Sequence, residues 1–396
     1  MTATPVPPRS RTGWFTPDDC RLEEFRAVVE VETSPADFPH ADAVEQGVLV
    51  YGERYREPAG TPEGRREVQA ELARALADGP GVVLFPGAFD PAVVDRATAE
   101  FTAMVEEQRA AGVQGGDHFA KPGANDRVWG ALDKLGVRAP EVFADYYAND
   151  VLALVSEAWL GRGYQVTSQV NVVNPGGTAQ RAHRDYHLGF MDREQAMAYP
   201  AHVHALSPAL TLQGAVAHVD MPVETGPTLY LPHSHKHPAG YVAFHDPAFT
   251  AYFEEHRVQL PLRKGDAAFF NPALFHGAGS NVSADVRRMA NLLQVSSAFG
   301  RAMETVDTTA LSAAVYPVLR ARRAAGAGER ELRNVVAAAA EAYPFPTNLD
   351  ADQPIGGLAP QSQAELVHQA LREDWEPDLL GTALAAQQER RRSRLG

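Results

Sequence analysis

Cysteine is almost missing from this sequence: Cys20 is the single thiol among 396 residues. An intrachain disulfide, a zinc ribbon and a cysteine-ligated cluster are thereby excluded. Long apolar runs are missing as well. No stretch approaches the roughly 18 residues that cross a bilayer, so no membrane partner is expected. Positive charge is in deficit, with 36 Lys and Arg against 50 Asp and Glu and a formal net charge of −14. That balance repels phosphate backbones and disfavours nucleic acid as a partner. Early arginines at Arg9 and Arg11 are not followed by an apolar segment, so the N-terminus does not read as a secretory signal and a cytoplasmic location is expected.

Histidine is what the sequence has in excess. Eleven of its 14 histidines fall between His183 and His276 inclusive. Cys20 sits in a polar stretch with Pro and Asp around it, which argues against a nucleophilic role.

The pattern along the chain divides into three parts. Residues 1–65 are rich in Pro, Glu and Asp with weak periodicity, and read as a partly irregular N-terminal arm. A core follows over 66–300. It opens with a helix over 65–77, a short buried strand at Gly81-Val-Val-Leu-Phe85 and a helix capped by Asp90 with Pro91 at its first position. A further helix is expected over 139–160. From Tyr164 onward the period changes to two, and strands are expected over 166–173, 180–187, 209–219, 228–231, 258–262, 267–270 and 286–296. Gly- and Pro-bearing turns separate them, as in Asn174-Pro-Gly-Gly177 and Glu224-Thr-Gly-Pro227. Many short strands without intervening helices argue for a mainly β core with flanking helices, a jelly roll or similar barrel. Residues 301–396 return to a helical pattern and read as a C-terminal extension serving as lid or dimer contact.

The chemistry concentrates at Arg181-Ala-His183-Arg-Asp185-Tyr-His187. On a strand, residues two apart share a face, so His183 and Asp185 project together. Two histidines and one carboxylate on one side of a metal, with three positions left open, are the ligand set of non-haem Fe(II) oxygenases. The distal histidine is expected at His276, 93 residues on, far enough for the chain to wrap round a barrel. Arg287 follows eleven residues later, where a guanidinium can grip a carboxylate through two parallel hydrogen bonds.

Four blocks in order resemble the phytanoyl-CoA dioxygenase-like family of Fe(II)/2-oxoglutarate-dependent oxygenases. Gly81-Val-Val-Leu-Phe-Pro-Gly-Ala-Phe-Asp-Pro91 is similar to its opening strand and helix, and His183-Arg-Asp185-Tyr-His187 to its H-x-D-x-H strand. Val223-Glu-Thr-Gly-Pro-Thr-Leu-Tyr-Leu-Pro-His-Ser-His235 resembles its Pro-Gly-Ser-His turn. His276-Gly-Ala-Gly-Ser-Asn-Val-Ser-Ala-Asp-Val-Arg287 is similar to its distal motif. The resemblance covers roughly residues 80 to 296. It implies a double-stranded β-helix of the cupin-like jelly-roll class, with iron held by His183, Asp185 and His276. It also implies 2-oxoglutarate anchored on Arg287, and O2 as the oxidant. Gln180, Thr228 and Asn171 are further candidates for holding the cosubstrate, and His187 for touching substrate. His233 stands where the family has Gly, so that loop is expected to differ in shape.

The implied reaction is oxidation, in the first place hydroxylation, of an unactivated C–H in a small molecule, with release of succinate and CO2. Asp185 favours hydroxylation, because related halogenases replace this carboxylate with a small residue. The Ala, Arg, Gly and Pro content fits a GC-rich bacterial genome and natural-product tailoring as the setting. Two other readings stay open: a cupin-type metal enzyme that does not use 2-oxoglutarate, and a non-catalytic small-molecule binding protein on the same fold. A rival His218-Val-Asp220 lies only 58 residues before His276, too few strands to close a barrel. His233-Ser-His235-Lys-His237 and His202-Val-His204 read as structural or surface histidines, and the basic Arg390-Arg-Arg392 with Arg394 as a solvated end.

Overall fold

Alternation along the longest strands decides how the molecule is layered. Along the strand Arg288–Ser296, the residues Met289, Leu293 and Val295 point to one face and join a large apolar core, whereas Arg288 and Gln294 belong to the other. A strand with one apolar and one polar face needs helices on the first and encloses a site with the second. The computed structural model describes residues 13–112 and 124–393, and in it both requirements are met.

Eleven strands occur among the described residues: β1 Ala43–Glu45, β2 Val48–Val50, β3 Val82–Phe85, β4 Asn125–Val128, β5 Gln165–Val173, β6 Thr211–Ala217, β7 Leu229–Leu231, β8 Val258–Gln259, β9 Ala267–Phe270, β10 Phe275–Gly277 and β11 Arg288–Ser296. Eight form a large sheet in the order β1-β2-β3-β9-β6-β11-β5-β4, and three form a small sheet in the order β10-β7-β8. Only β2 with β3 is parallel in the large sheet. The two sheets do not merge into one closed barrel. They face each other, which is the double-stranded β-helix arrangement, and Val48, Val82, Leu84, Tyr230, Leu260 and Phe270 fill one part of the space between them.

Helices cover the outer faces. On the large sheet, Val170, Leu293 and Val295 pack with residues of the helices Pro62–Ala77, Pro91–Ala110 and Asp150–Leu160. The same core continues without a break into the C-terminal helices Thr308–Ala324, Glu329–Ala339, Gln363–Arg372 and Pro377–Arg391, through Leu311, Val315, Val335, Val367 and Leu380. Each such side chain contributes roughly 1.5–3 kcal/mol by leaving water. These helices therefore brace the sheet on the side away from its polar face. On the small sheet, Leu229, Leu231 and Phe275 pack against Phe25, Phe249 and Phe253 from the helices Leu22–Val29 and Pro247–His256.

The ordered parts of the 1–65 arm include the helix Leu22–Val29 and the strands β1 and β2, which extend the large sheet. Two expected elements need correction. The helix over 139–160 is two, Pro140–Tyr147 and Asp150–Leu160, because Asn149 leaves helical geometry and caps the second by accepting from Leu152 N. The strand over 180–187 shrinks to one bridge between His183 and His276. Beyond it, Tyr186 and His187 take φ of 63° and 49°, which ends any strand there.

Candidate metal centre

The bridge between His183 and His276 builds the site. His183 N donates to His276 O at 3.0 Å, and His276 N donates to His183 O at 3.2 Å. This reciprocal pair sets the two imidazoles side by side, with ring centroids 4.4 Å apart. Each Nδ1 lies 2.8 Å from a carbonyl on its own chain segment, Arg181 O for His183 and Leu274 O for His276. A carbonyl only accepts, so both Nδ1 atoms carry the proton and both Nε2 atoms present a lone pair.

Asp185 closes the triangle. Its backbone N donates to Pro272 O at 2.9 Å, tying it to the loop before β10. Its Oδ1 lies 3.7 Å from His183 Nε2, and its Oδ2 lies 3.4 Å from His276 Nε2. The three ligand atoms fall within 4.8 Å of one another. Two neutral imidazole nitrogens and a carboxylate converging from one side fit iron(II), and the donor set leaves the opposite side free. Burial pushes the Asp185 carboxyl pKa up, but His183, His276 and a hydrogen bond from Gln213 outweigh it and hold the group well below the usual carboxylate range. It is therefore an anion, as a ligand must be.

Arg184, between the two ligands, points the other way and is buried. Its Nη2 donates to Ser234 O at 2.7 Å and His237 O at 3.1 Å, while its guanidinium lies over the rings of Tyr241 and Phe275. Burial pulls its pKa down to about 10. The ligand loop is thus pinned to the small-sheet side by its own middle residue.

Arg287, the expected cosubstrate anchor, and its neighbour Arg288 take opposite positions. Arg287 lies on the outer surface, where its Nε donates to Asn174 Oδ1 at 3.1 Å and its Nη2 sits 3.4 Å from Asp126 Oδ2. Arg288 is the arginine that faces inward. It is 6% exposed and donates to Gly279 O at 3.4 Å, three residues beyond His276. Burial alone pulls its pKa down to about 10, with no carboxylate to offset it. The physical reason lies in the strand's phase: packing Met289, Leu293 and Val295 on the helices forces Arg288 to the enclosed face.

The remaining candidates separate. Asn171 pairs with Ala290, next along the same face to Arg288, and its Oδ1 is buried without a hydrogen-bond partner. Gln180 spends its Oε1 on Ala278 N at 3.1 Å, holding two segments together. Thr228 is half-buried near Tyr230, among the apolar residues between the sheets. His187 is half-buried, its Nε2 3.4 Å from Thr211 Oγ1, just past the ligand loop. His218 faces the helices instead, bonded to Thr98 Oγ1 at 2.8 Å and Tyr146 OH at 3.0 Å, and burial pulls its pKa to about 3. His233 and His237 are buried structural residues. His233 keeps the left-handed φ of 70° that glycine would supply, and its Nε2 is 3.0 Å from Thr33 Oγ1. His202 is exposed, whereas His204 is buried against Phe15, contrary to the surface position expected for both. Arg390 pairs with Asp352 at 3.2 Å; Arg394 lies outside the described residues.

Sequence reasoning missed Gln213, whose Nε2 donates to Asp185 Oδ2 at 2.5 Å from the middle of β6. A glutamine inside the apolar run Leu212-Gln-Gly-Ala-Val216 was the available signal, since polar residues inside such runs need a partner.

A family model described as phytanoyl-CoA dioxygenase matches residues 77–289, just over half of the chain. The chain belongs to the phytanoyl-CoA dioxygenase family. It thereby joins the iron- and 2-oxoglutarate-dependent oxygenases, whose ligand pattern His183, Asp185 and His276 reproduce in space. The dioxygenase trt7 of Aspergillus terreus is 26% identical over 225 residues, which span 56% of this chain and 71% of that one. Among solved structures, the non-haem α-ketoglutarate-dependent epimerase SnoN from nogalamycin biosynthesis is 23% identical, covering 60% of this chain and 82% of its own, with a TM-score of 0.40. AviO1 from Streptomyces viridochromogenes Tue57 is 18% identical, covering 58% and 95%, with a TM-score of 0.43. No helix among the described residues is long and apolar enough to cross a membrane.

Proposed function

We propose that this phytanoyl-CoA dioxygenase family member oxidises, most simply hydroxylates, an unactivated C–H of a small molecule, in natural-product tailoring. His183, Asp185 and His276 hold the iron, and the single observation that carries this reading is their convergence with both Nδ1 protons already committed to carbonyls. Iron and 2-oxoglutarate together would supply O2 activation, coupled to release of succinate and CO2. In this reading Arg288 takes the far carboxylate of 2-oxoglutarate, since it is a buried cation without an acidic partner beside a buried, unpartnered Asn171 Oδ1. Gln213 holds Asp185 in its ligating orientation. Arg184 fixes the loop between the two first ligands. Retention of a carboxylate at Asp185 leaves no halide position on that side, which favours oxygen return to the substrate.

Anaerobic titration of the metal-free protein with Fe(II) and then 2-oxoglutarate tests the proposal. A weak visible charge-transfer band is expected in the wild type and not in Asp185→Ala or His276→Ala. A wild type without the band overturns it. Hydroxylation is read by mass, as a gain of one oxygen in the substrate that stimulates succinate release.

A further inference from the structure

One corner beside the metal centre collects polar atoms that the ligand set does not use. Gln213, which reaches Asp185 through Nε2, leaves its own Oε1 buried and unpartnered. Its neighbour across the sheet is Gln294, whose Oε1 accepts from Gln169 Nε2 at 3.2 Å. Gln169 Nε2 also reaches Met303 Sδ at 4.0 Å, which brings the adjacent Glu304, just past the end of β11, close to it. Tyr186, next to Asp185, is buried with its hydroxyl unpartnered, and feels the charges of Asp185, Glu304 and Arg127. Asp185, Gln213, Gln294 and Gln169 thus follow one another along the enclosed face, with Glu304 beside the last of them.

Glu304 is the unusual member. Its Oε1 accepts from Gly130 N at 2.8 Å, at the start of the helix Ala131–Arg138, which accounts for one oxygen. Its Oε2 is buried without a hydrogen-bond partner. A buried carboxylate oxygen left unmatched costs several kcal/mol unless a ligand completes it. The burial raises the Glu304 pKa, as expected for a carboxylate awaiting a donor.

We propose that Glu304, with Tyr186 and Gln213 Oε1, forms the substrate-recognition corner of the site and selects a substrate that presents N–H or O–H donors. The two unmatched oxygens of Glu304 and Gln213 are acceptors, and Tyr186 can adapt to either role. A carboxylate substrate meets repulsion here, a purely apolar one leaves the acceptors unpaired, and an amine gains a charge-assisted bond. The inference rests on the oxygenase reading for the position of the reacting C–H, but not for the donor preference itself.

Three fragments of one size separate the cases: cyclohexylamine, cyclohexanol and cyclohexanecarboxylate. Their binding to the protein loaded anaerobically with Fe(II) and 2-oxoglutarate is read by paramagnetic broadening of the fragment NMR signals, with a Zn(II)-loaded control. The amine and the alcohol are expected to bind at least about tenfold more tightly than the carboxylate. Glu304→Gln keeps an acceptor for Gly130 N, so the fold is retained. It should weaken the amine by about tenfold or more and the alcohol by less than about threefold, distinguishing the two donor sources. Tyr186→Phe should weaken the alcohol. Equal binding of the carboxylate, indifference of both fragments to both variants, or no binding by any fragment overturns the proposal. Saturation-transfer NMR of the same fragments on the metal-free protein separates it from the oxygenase reading: donor preference there, with no charge-transfer band on Fe(II) and 2-oxoglutarate addition, sinks the oxygenase and leaves the corner standing.

Discussion

Gln213 Nε2 donates to Asp185 Oδ2 at 2.5 Å, reaching from the large sheet to a ligand carried by a loop of the small-sheet side. The two sheets are thus coupled at the metal ligand itself. A carboxylate that is buried and turned toward two imidazoles needs such an outer donor to stay in one rotamer. Gln213→Leu is expected to leave the fold intact and to weaken Fe(II) binding by roughly 10–100-fold, the range for lost outer-shell partners. Anaerobic metal titration checks it, and unchanged affinity would show that Asp185 is oriented by the histidines alone.

Arg287 and Arg288 are adjacent, yet their surroundings are opposite. Arg288→Ala is expected to weaken 2-oxoglutarate binding by about 30-fold or more, since removing one partner of a buried charge pair costs about 2 kcal/mol or more. Arg287→Ala should change it by less than about twofold, because its neighbours are Asn174 and Asp126 on the surface. Titrating each variant with 2-oxoglutarate in the presence of Fe(II) decides between them, and the reverse ranking would restore Arg287.

How far the sequence could be read follows from the same strand. β5 and β11 are long, and each buries one apolar face, so their existence is plain in the alternation. The phase of β11 is blurred by Leu292-Leu293, which puts apolar side chains on both faces and hides that Met289, Leu293 and Val295 are the helix-facing set. The eleven-residue spacing from His276 that points to Arg287 carries no information about that phase. The histidines and Asp185 were legible because ligand chemistry restricts residue type and spacing. The 180–187 segment was over-read, since two hydrogen bonds at one bridge, rather than a ladder, hold His183 against His276. β4, with the sequence Asn125-Asp-Arg-Val128, lies at the sheet edge and has no alternation to detect.

Arg184 fills the space that a side chain at position 240 would need. A Cβ on Gly240 would collide with its guanidinium. Gly240→Ala is therefore expected to destabilise the protein by about 1–3 kcal/mol or more, as overpacking does, and to weaken Fe(II) binding by displacing the loop between His183 and Asp185. Gly381→Ala supplies the contrast. It lies inside the helix Pro377–Arg391 with open space around its Cβ position, so it should stabilise by about 0.5–1 kcal/mol. Urea unfolding of both variants, with metal titration of the first, checks the pair.

Buried neutral histidines make the fold sensitive to acid. His218, His233 and His237 have pKa values pulled down to about 3, about 4 and about 3, in each case chiefly by burial. In the unfolded chain each takes up a proton near pH 6.5, whereas the folded protein resists until far lower pH. The unfolded state then binds more protons between those limits, so stability rises with pH through the window from about 4 to 6.5 and is flat above it. Each of the three should remove up to about 1.4 kcal/mol per pH unit as the pH falls below 6.5. Urea midpoints measured from pH 7.5 to 5.0 should decline only below about 6.5. Replacing His218 with Gln, which can bond Thr98 or Tyr146 without titrating, should make the decline shallower by one proton's slope while lowering stability at pH 7.5. A decline of the same slope in that variant would mean that His218 is not among the groups protonated on unfolding.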